Sequence, residues 1–262
     1  MHQEFTPAAA SLPDPFRLRL HEACTSTSDE ARALGLAGAP GGDIVVANLQ
    51  TAGRGRRGAA WHAIPGESLT FSILWRPEIP QALWPRLALA AGLAVAEACE
   101  THVPLAGIKW PNDVWISNRK VAGILVEAGP DFAVVGIGIN VNTASFPDEI
   151  RDLATSIQIE SGRPADRGEL LGKIITRFSI HANRLDRDFE TLLNGVRQRC
   201  VLTGHQVDLQ SPSGPVDGQC EGIGSSGELL VRTDQGLQHI LQADEVRPRP
   251  LPIDVPSARV DR

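Results

Sequence analysis

Residues 107–142 constrain the fold more than any other part of the sequence, because they predict three β-strands in close succession. The first strand spans 107–110 and continues through 113–116, the second spans 120–127, and the third spans 132–142. Parallel strands need a crossover connection of about a dozen residues or more, and these gaps are too short for one. The Ser117-Asn118-Arg119 turn also favours a hairpin between the first two strands. We therefore expect a mixed, largely antiparallel sheet with helices on one face, which is an α+β fold.

The flanking sequence predicts the remaining elements of this layer. Thr27 and Glu30 have capping-box spacing and predict a helix over 28–37. The Ala-rich residues 83–101 predict a buried helix with Pro85 in its first turn. Apolar residues at helical spacing predict one long helix or two between 169 and 199. Two further apolar stretches, 43–50 and 68–75, predict strands.

The sequence predicts two domains between two unstructured ends. Residues 1–17 contain Ala, Ser and Pro and are expected to be a disordered N-terminus, and 248–262 are expected to be a Pro/Arg-rich tail. The larger domain is predicted over 18–200. A small β-barrel domain is predicted over 201–247 because short alternating stretches there are separated by Gly or Ser turns. The stretches are 206–209, 219–223, 229–232 and 239–242.

Charge and cysteine content exclude several classes of protein. Lys and Arg number 25 against 31 Asp and Glu, so the net charge is −6 and the chain repels nucleic acid and anionic membranes. Charged residues and Pro85 interrupt the longest apolar run, which leaves no charge-free stretch of about 20 residues for a membrane span. The four cysteines form no C-x-x-C pair and fit buried thiols of a cytosolic protein. We expect a cytoplasmic protein with no metal site of its own and with neither a nucleic-acid nor a membrane partner.

Lysine is rare in this chain. Of the 25 basic residues only Lys109, Lys120 and Lys173 are lysines. A genome-wide codon bias explains such a count, but an ammonium group and a planar guanidinium are not interchangeable. Each lysine in this sequence is therefore a candidate for a position whose function requires an ammonium group rather than a guanidinium.

A Gly/Arg loop, Gly53-Arg-Gly-Arg-Arg-Gly58, directly follows a predicted strand. Its glycines let the backbone approach a ligand closely, and its arginines are strong donors to a carboxylate or phosphate. Taken alone, the loop also fits a solvated basic segment or an RGG-like nucleic-acid segment. It matches neither the Walker A nor the Rossmann pattern.

Three more segments carry chemistry, and each is ambiguous when taken singly. They are Lys109-Trp-Pro-Asn-Asp113, Arg119-Lys-Val-Ala-Gly-Ile-Leu125 and Gly136-Ile-Gly-Ile-Asn-Val-Asn142. The Asn-Asp pair of the first can orient phosphates through a hydrated magnesium, or belong to a bulge beside a buried Trp. Lys120 in the second presents an amine from a rigid strand, or is an ordinary edge-strand charge. The glycines of the third allow close approach of a ligand, or only tight packing.

Together, and in this order, the four segments closely resemble the biotin protein ligase family, and the resemblance covers about residues 18–247. It implies a class II synthetase-like (biotin–lipoate ligase) fold with a small C-terminal SH3-like β-barrel. Lipoate ligases share the catalytic fold but lack the Gly/Arg loop. The few residues before the first motif lead us to expect the monofunctional form, without the N-terminal DNA-binding domain that some relatives carry.

The resemblance implies a carbon–nitrogen bond-forming ligase that converts ATP to AMP and diphosphate. Biotin would be activated as biotinyl-5′-AMP with ATP and Mg²⁺, then transferred to a lysine of a biotin carboxyl carrier protein, such as that of acetyl-CoA carboxylase. The sequence does not fix the oligomeric state and leaves a homodimer open. Three alternatives stay open: a lipoate or octanoate transferase on the same fold, a nucleic-acid binder that uses the Gly/Arg loop, and a catalytically inactive biotin-binding regulator.

The resemblance also implies the site residues. Contacts to biotin are implied for Ser26, Thr27, Gln50, Arg54, Gly55, Arg56, Lys120 and Gly123. Contacts to ATP are implied for Arg54, Arg56, Trp61, Asn112, Lys120 and Asn140, with magnesium carried by ATP near Asn112. Lys120 and Arg56 are implied to be catalytic, Lys120 by touching the biotin carboxylate and the α-phosphate. The chain departs from the family pattern at Thr25 and Ser28, where an acidic residue and Asn often flank the Ser-Thr pair.

Overall fold

The structure, a computed structural model, describes residues 2–249 and divides after Val201 into two compact units. This division lies one residue beyond the predicted boundary at 200/201. Residues 250–262, most of the predicted tail, lie outside the described residues.

The first unit contains a seven-stranded sheet and the helices that pack on it. The helices are α1 (His2–Ser11), α2 (Thr27–Leu36), α3 (Arg86–Cys99), α4 (Ile157–Ser161), α5 (Arg167–Ala182) and α6 (Phe189–Arg199). The strands are β1 (Arg17–Cys24), β2 (Asp43–Gln50), β3 (Ser68–Trp75), β4 (Gly107–Lys109), β5 (Asp113–Ile116), β6 (Arg119–Ala128) and β7 (Ala133–Asn140). Across the sheet the order is β1-β2-β3-β7-β6-β5-β4. β1 and β2 are parallel and the other neighbouring pairs are antiparallel, which confirms the predicted α+β fold with a largely antiparallel sheet.

Two predicted continuous elements are interrupted. The strand predicted through 107–116 is wrong, because β4 and β5 form an antiparallel hairpin in which Lys109 pairs with Asp113. Pro111 stands in the turn between them, where its fixed φ and missing N–H do not disturb the ladder. Between 169 and 199 the chain forms two helices, α5 and α6, which was one of the two predicted arrangements.

One face of the sheet, which we call the site face, has small side chains at its centre and charged side chains toward β4. It is defined by residues that share a face through the register of neighbouring strands. These are Ser72 and Thr70 of β3, Gly136 and Gly138 of β7, Gly123 of β6, Asp113 of β5 and Lys109 of β4. A groove floored by glycine and small polar residues leaves room for a ligand against the backbone.

Helices cover both faces of the sheet, so the prediction of helices on one face is wrong. α2 packs on the site face, where Ser28 Oγ lies 3.1 Å from Ser72 Oγ. α3 packs on the opposite face, where a Cβ at Gly92 would lie 4.0 Å from Ile124 Cδ1. β7 is buried along its whole length, and a strand buried on both sides needs cover on both.

Residues 2–11 form the helix α1, so the prediction of a disordered N-terminus is wrong for this part of the chain. α1 packs against α5, and Phe5 is only 1% exposed. Arg167 donates from Nε to Glu4 Oε1 at 2.7 Å and from the guanidinium to Glu4 Oε2 at 2.5 Å. One buried aromatic ring and one charge-assisted pair thus dock a segment whose Ala and Pro content gives little sign of it.

The second unit contains the strands β8 (Gln206–Ser211), β9 (Gly214–Ile223), β10 (Leu229–Thr233), β11 (Gly236–Ile240) and β12 (Val246–Pro248). Their order is β11-β10-β9-β8-β12, and the neighbouring strands are antiparallel. Pro248, assigned to the tail by the sequence, lies in β12. Over the residues described, this sheet is open, and the SH3-like barrel stays a prediction.

Among residues 2–249, one helical stretch, 81–99, is long and apolar enough to span a membrane by length and composition alone. However, 67% of it is buried inside the structure, as in the core helix of a globular domain.

Candidate active site

A buried polar cluster joins the start of α2 to β2 and β3. Ser26 caps α2, and its Oγ accepts from Ser28 N at 3.3 Å. Gln50 Oε1 accepts from Thr27 N at 2.8 Å and from Thr27 Oγ1 at 3.1 Å. Thr27 Oγ1 is also 2.7 Å from Ser72 Oγ. The structure therefore brings together Ser26, Thr27 and Gln50, which the sequence predicted as biotin contacts, in fixed orientations. The sequence did not lead us to predict Ser72. It is a polar residue in a strand whose residues are nearly all buried, and a polar residue among apolar ones was the available signal.

Trp61 lies against the glycines of the site face. A Cβ at Gly138 would lie 2.3 Å from Trp61 Cε2, and one at Gly123 would lie 3.5 Å from Trp61 Cζ3. Only glycine leaves space for the indole at Gly138. Within the described residues Trp61 Nε1 is buried and makes no hydrogen bond. Buried donors are nearly always satisfied, so this N–H is a donor that the protein itself does not pair, and the ATP contact of Trp61 stays a prediction.

Lys120 presents its amine from the middle of the sheet. Because β6 lies between β7 and β5, the alternative of an edge-strand charge is wrong. The segment around Ala154 fixes the Lys120 backbone: Lys120 N donates to Leu153 O at 2.8 Å, and Thr155 N donates to Lys120 O at 2.9 Å. Lys120 Nζ lies 2.7 Å from Asp113 Oδ1, as an ion pair rather than an aligned hydrogen bond. Asp113 therefore holds the ammonium over the site face.

Arg56 links the Gly/Arg loop to the β4–β5 turn. Its guanidinium donates to Asn112 Oδ1 at 3.0 Å. Asn112 is itself held, because Nδ2 donates to Ile124 O at 2.9 Å and its carbonyl accepts from Ile124 N at 2.8 Å. Two of the predicted ATP-side residues, Arg56 and Asn112, are thus in direct contact.

Arg54 is paired within the protein. It donates twice to Asp29, from NH1 to Oδ2 at 2.8 Å and from NH2 to Oδ1 at 2.6 Å, and lies 3.8 Å from Glu127 Oε2. The hydrogen bond from Arg54 lowers the pKa of Asp29 below its ordinary value, and the same bond raises the pKa of Arg54. Arg54 therefore ties the loop to the first turn of α2. Its predicted contacts to biotin and ATP stay predictions, and Asp29 was not anticipated.

The last two predicted residues have structural contacts of their own. Gly55 N donates to Ala59 O at 2.6 Å inside the loop, where a Cβ on Gly55 would lie 3.4 Å from that oxygen. Asn140 is buried on the site face, and its Nδ2 donates to Thr155 O at 3.1 Å. Since Thr155 also pairs with Lys120, Asn140 and Lys120 are braced by one segment.

The oxygen donors near Lys120 suit a metal ion that arrives with a phosphate ligand. Asn112 and Asp113 supply an amide oxygen and a carboxylate at adjacent positions. Mg²⁺ typically takes one or two protein carboxylates, with phosphates and waters completing its shell. Among residues 2–249 no group of three or more His, Cys, Asp or Glu side chains could hold a metal ion. Asn112 Oδ1 accepts from Arg56 and Asp113 Oδ1 pairs with Lys120, and the placement of Mg²⁺ near Asn112 stays a prediction.

Comparisons with known proteins identify relatives of this chain. The family described as "Biotin/lipoate A/B protein ligase family" matches residues 22–143. A biotin–[acetyl-CoA-carboxylase] ligase of Paracoccus denitrificans is 36% identical over 231 residues, covering 83% of this chain and 95% of that protein. A "Bifunctional ligase/repressor BirA" of Bacillus subtilis is 34% identical, covering 86% of this chain and 72% of that protein. The structure of the biotin protein ligase from Aquifex aeolicus in complex with biotin and ATP superimposes with a TM-score of 0.81 at 33% identity, covering 88% of this chain and 99% of that one.

The fold and these matches define a biotin/lipoate-type protein ligase. Within that class, the chain belongs to the biotin protein ligase family.

Proposed function

We propose that this chain is an ATP-dependent biotin protein ligase that forms biotinyl-5′-AMP and transfers the biotinyl group to a lysine of a carrier domain. The observation that carries the proposal is the placement of Lys120, 2.7 Å from Asp113, over a sheet face floored by Gly123 and Gly138. A cation fixed above a glycine-lined groove suits a ligand that brings a carboxylate and a phosphate to one point.

The first step joins two anions, and the site residues address their repulsion. A biotin carboxylate oxygen attacks the α-phosphorus of ATP, and the bond to the β-phosphate oxygen breaks with its electron pair leaving on pyrophosphate. Lys120 would touch both reacting anions and oppose their charge. Magnesium, held by the ATP phosphates with Asn112 and Asp113, would share the polyphosphate charge.

The second step needs an activated intermediate that survives until a carrier lysine arrives. The mixed anhydride reacts with water, so the site must exclude solvent. The loop 53–58 is suited to cover it, because Arg54 bonds to Asp29 and Arg56 bonds to Asn112. The carrier amine then attacks the biotinyl carbonyl, and AMP leaves.

The finer parts of this proposal rest on the sequence. A cytoplasmic location is supported by four cysteines that form no C-x-x-C pair, and the absence of a nucleic-acid or membrane partner is supported by the net charge of −6. Assignment of the second unit to an SH3-like barrel follows from the family resemblance.

The test is direct synthesis of the intermediate and of the product. The purified chain is incubated with biotin, ATP and Mg²⁺, and mass spectrometry detects biotinyl-5′-AMP and pyrophosphate. An apo carrier domain is then added, and peptide mapping locates the biotinylated lysine. We expect one labelled lysine on the carrier and none when ATP is omitted.

Parallel arms separate the alternatives. Lipoate or octanoate replaces biotin in otherwise identical reactions, and labelling with these acids but not with biotin would identify a transferase of the other class. Biotin binding without adenylate would identify an inactive regulator. Either result overturns the proposal.

A further inference from the structure

The segment Lys109-Trp-Pro-Asn-Asp113 contains a second lysine that the proposed function does not use. Lys109 lies in β4, opposite Asp113 in the β4–β5 hairpin, and opposite residues of an antiparallel pair point to the same face. Asp113 in turn pairs with Gly123 on the site face. Lys109 therefore stands on the site face, one strand beyond the ion pair of Lys120 and Asp113.

The ammonium of Lys109 is held on that face by an aromatic ring. Lys109 Nζ lies 4.6 Å from the centroid of the Trp115 ring. Trp115 pairs with Gly107 of β4 on one side and with Lys120 of β6 on the other. A cation over an aromatic face is attracted to it, so the ring fixes the ammonium without removing its charge.

The positions of these groups indicate the direction in which a bound ligand would extend across the sheet. The buried polar cluster of Thr27, Gln50 and Ser72 lies at β2 and β3, and Lys120 lies over β6 and β5. A ligand that begins at the cluster and reaches Lys120 with its carboxylate has its phosphates at β5. Neighbouring strands are about 4.8 Å apart, so a phosphate chain that extends further in this direction arrives at β4 and Lys109.

We propose that Lys109 is a further catalytic residue, which binds the β- and γ-phosphates of ATP and stabilises the pyrophosphate that leaves during adenylation; this rests on the proposed function. As the bond between the α-phosphorus and the bridging oxygen breaks, its electron pair and negative charge pass to the pyrophosphate. A cation at that group is worth most at this moment, so it accelerates the step rather than only tightening binding. Lys109 has no part in the second step, because pyrophosphate is not involved in transfer to the carrier.

The experiment compares the two half-reactions in matched variants. Lys109→Gln removes the charge, and Lys109→Arg keeps it. Lys173→Gln is the control, because Lys173 pairs with Glu169 on α5 and with Thr101, away from the site face. Adenylation is measured as single-turnover pyrophosphate release from biotin and ATP. Transfer is measured with biotinyl-5′-AMP supplied directly and an apo carrier domain.

For Lys109→Gln we expect adenylation to fall about 10- to 100-fold, the size of one lost charge-assisted contact. Transfer from supplied biotinyl-5′-AMP stays within about twofold of the unmodified chain, and inhibition by added pyrophosphate weakens. Lys109→Arg retains most of the adenylation rate, because a guanidinium also binds phosphate. Lys173→Gln behaves as the unmodified chain in every assay.

Three outcomes overturn the inference. Unchanged adenylation in Lys109→Gln shows that the ammonium does not act on the phosphates. A parallel loss in both half-reactions, together with a lowered melting temperature, shows that the contact with Trp115 is only structural. Unchanged inhibition by pyrophosphate places the leaving group elsewhere. Failure of the proposed function is distinguishable from all three, because the unmodified chain would then make no biotinyl-5′-AMP.

Discussion

Lys120 and Asp113 act as a unit, and removing one changes the charge that the other presents. Asp113 is a carboxylate in a site that must accept a carboxylate and a triphosphate, so its negative charge is tolerable only while Lys120 lies 2.7 Å away. The pairing also explains why the ammonium is held in place before any ligand is bound.

We predict that Lys120→Ala loses adenylation by about a hundredfold or more while biotin affinity falls much less. Lys120→Arg also fails, since a planar fork does not replace a point charge bridging two oxygens. The measurements are pyrophosphate release and biotin binding by calorimetry. The double variant Lys120→Ala with Asp113→Asn separates lost attraction from added repulsion and recovers part of the rate. A near-normal rate in Lys120→Ala contradicts the role.

Arg56 retains the intermediate in our proposal, and its contact with Asn112 shows how. Losing a charge-assisted bond of about 1.5–3 kcal/mol speeds escape of the adenylate by about 10- to 100-fold. We predict that Arg56→Gly still makes biotinyl-5′-AMP but releases it, so that bystander proteins become labelled on their lysines. A streptavidin blot with an unrelated lysine-rich protein measures this.

The matched control is Arg57→Gly in the same loop. Arg57 has φ of 56°, a region that glycine adopts freely, so this variant adds flexibility without straining the loop. We expect bystander labelling close to that of the unmodified chain. Equal labelling by both variants would attribute retention to loop stiffness rather than to Arg56.

Individual side chains were predictable where their chemistry stands in a local motif. Lys120, Asn112 and Trp61, which the ordered motifs singled out, lie on or beside the site face, and their contacts to biotin and ATP stay predictions. Asp29 was not predicted, because its bond to Arg54 joins residues 25 positions apart and depends on how the loop folds against α2. Ser72 was missed for the same reason, because its contact with Thr27 spans 45 positions and exists only after β3 and α2 pack.

Helices and strands also fall into those that the sequence predicts and those that it does not. The strands β2 and β3 lie at the predicted bounds, because each contains several apolar residues in a short segment that is largely buried. β1 was not predicted, because its sequence alternates Arg and Leu and it is ordered by parallel pairing with the distant β2. The docking of α1 likewise depends on Arg167, far along the chain.

The glycines of β7 give a prediction about an element rather than a single contact. Gly138→Ala places a Cβ 2.3 Å from Trp61 Cε2, so the indole or the strand must shift. We expect biotin affinity to fall by about tenfold or more, since Trp61 and Gly138 line the same groove, and tryptophan fluorescence to change with the displaced ring. Binding calorimetry and emission spectra measure both.

Gly92→Ala is the matched control on the opposite face. A Cβ there meets nothing closer than 4.0 Å, and Gly92 lies inside α3. Replacing glycine by alanine in a helix interior raises stability by about 0.4–1 kcal/mol where it fits. We expect unchanged biotin binding and an equal or higher melting temperature. Loss of biotin binding in Gly92→Ala would mean that the affinity responds to the core generally and not to the groove.

Each of the two units has a hydrogen-bonded sheet of its own. All strands of the seven-stranded sheet lie between Arg17 and Asn140, and all strands of the second sheet lie between Gln206 and Pro248. The residues proposed to bind biotin and ATP all belong to the first unit. A unit that holds its own core and its own sheet is expected to fold alone.

We therefore predict that a chain ending at Val201 folds, binds biotin and forms biotinyl-5′-AMP, but labels the carrier more slowly than the full chain. None of the groups proposed for adenylation lies beyond Val201. We therefore expect the second unit to act in the other half-reaction, by engaging the carrier. Thermal melting establishes folding, pyrophosphate release measures adenylation, and biotinyl-5′-AMP supplied with apo carrier isolates transfer. Full-rate transfer by the shortened chain would show that the second unit has no part in carrier recognition. Loss of adenylation in a shortened chain that still melts cooperatively would show instead that the second unit contributes to the ATP site.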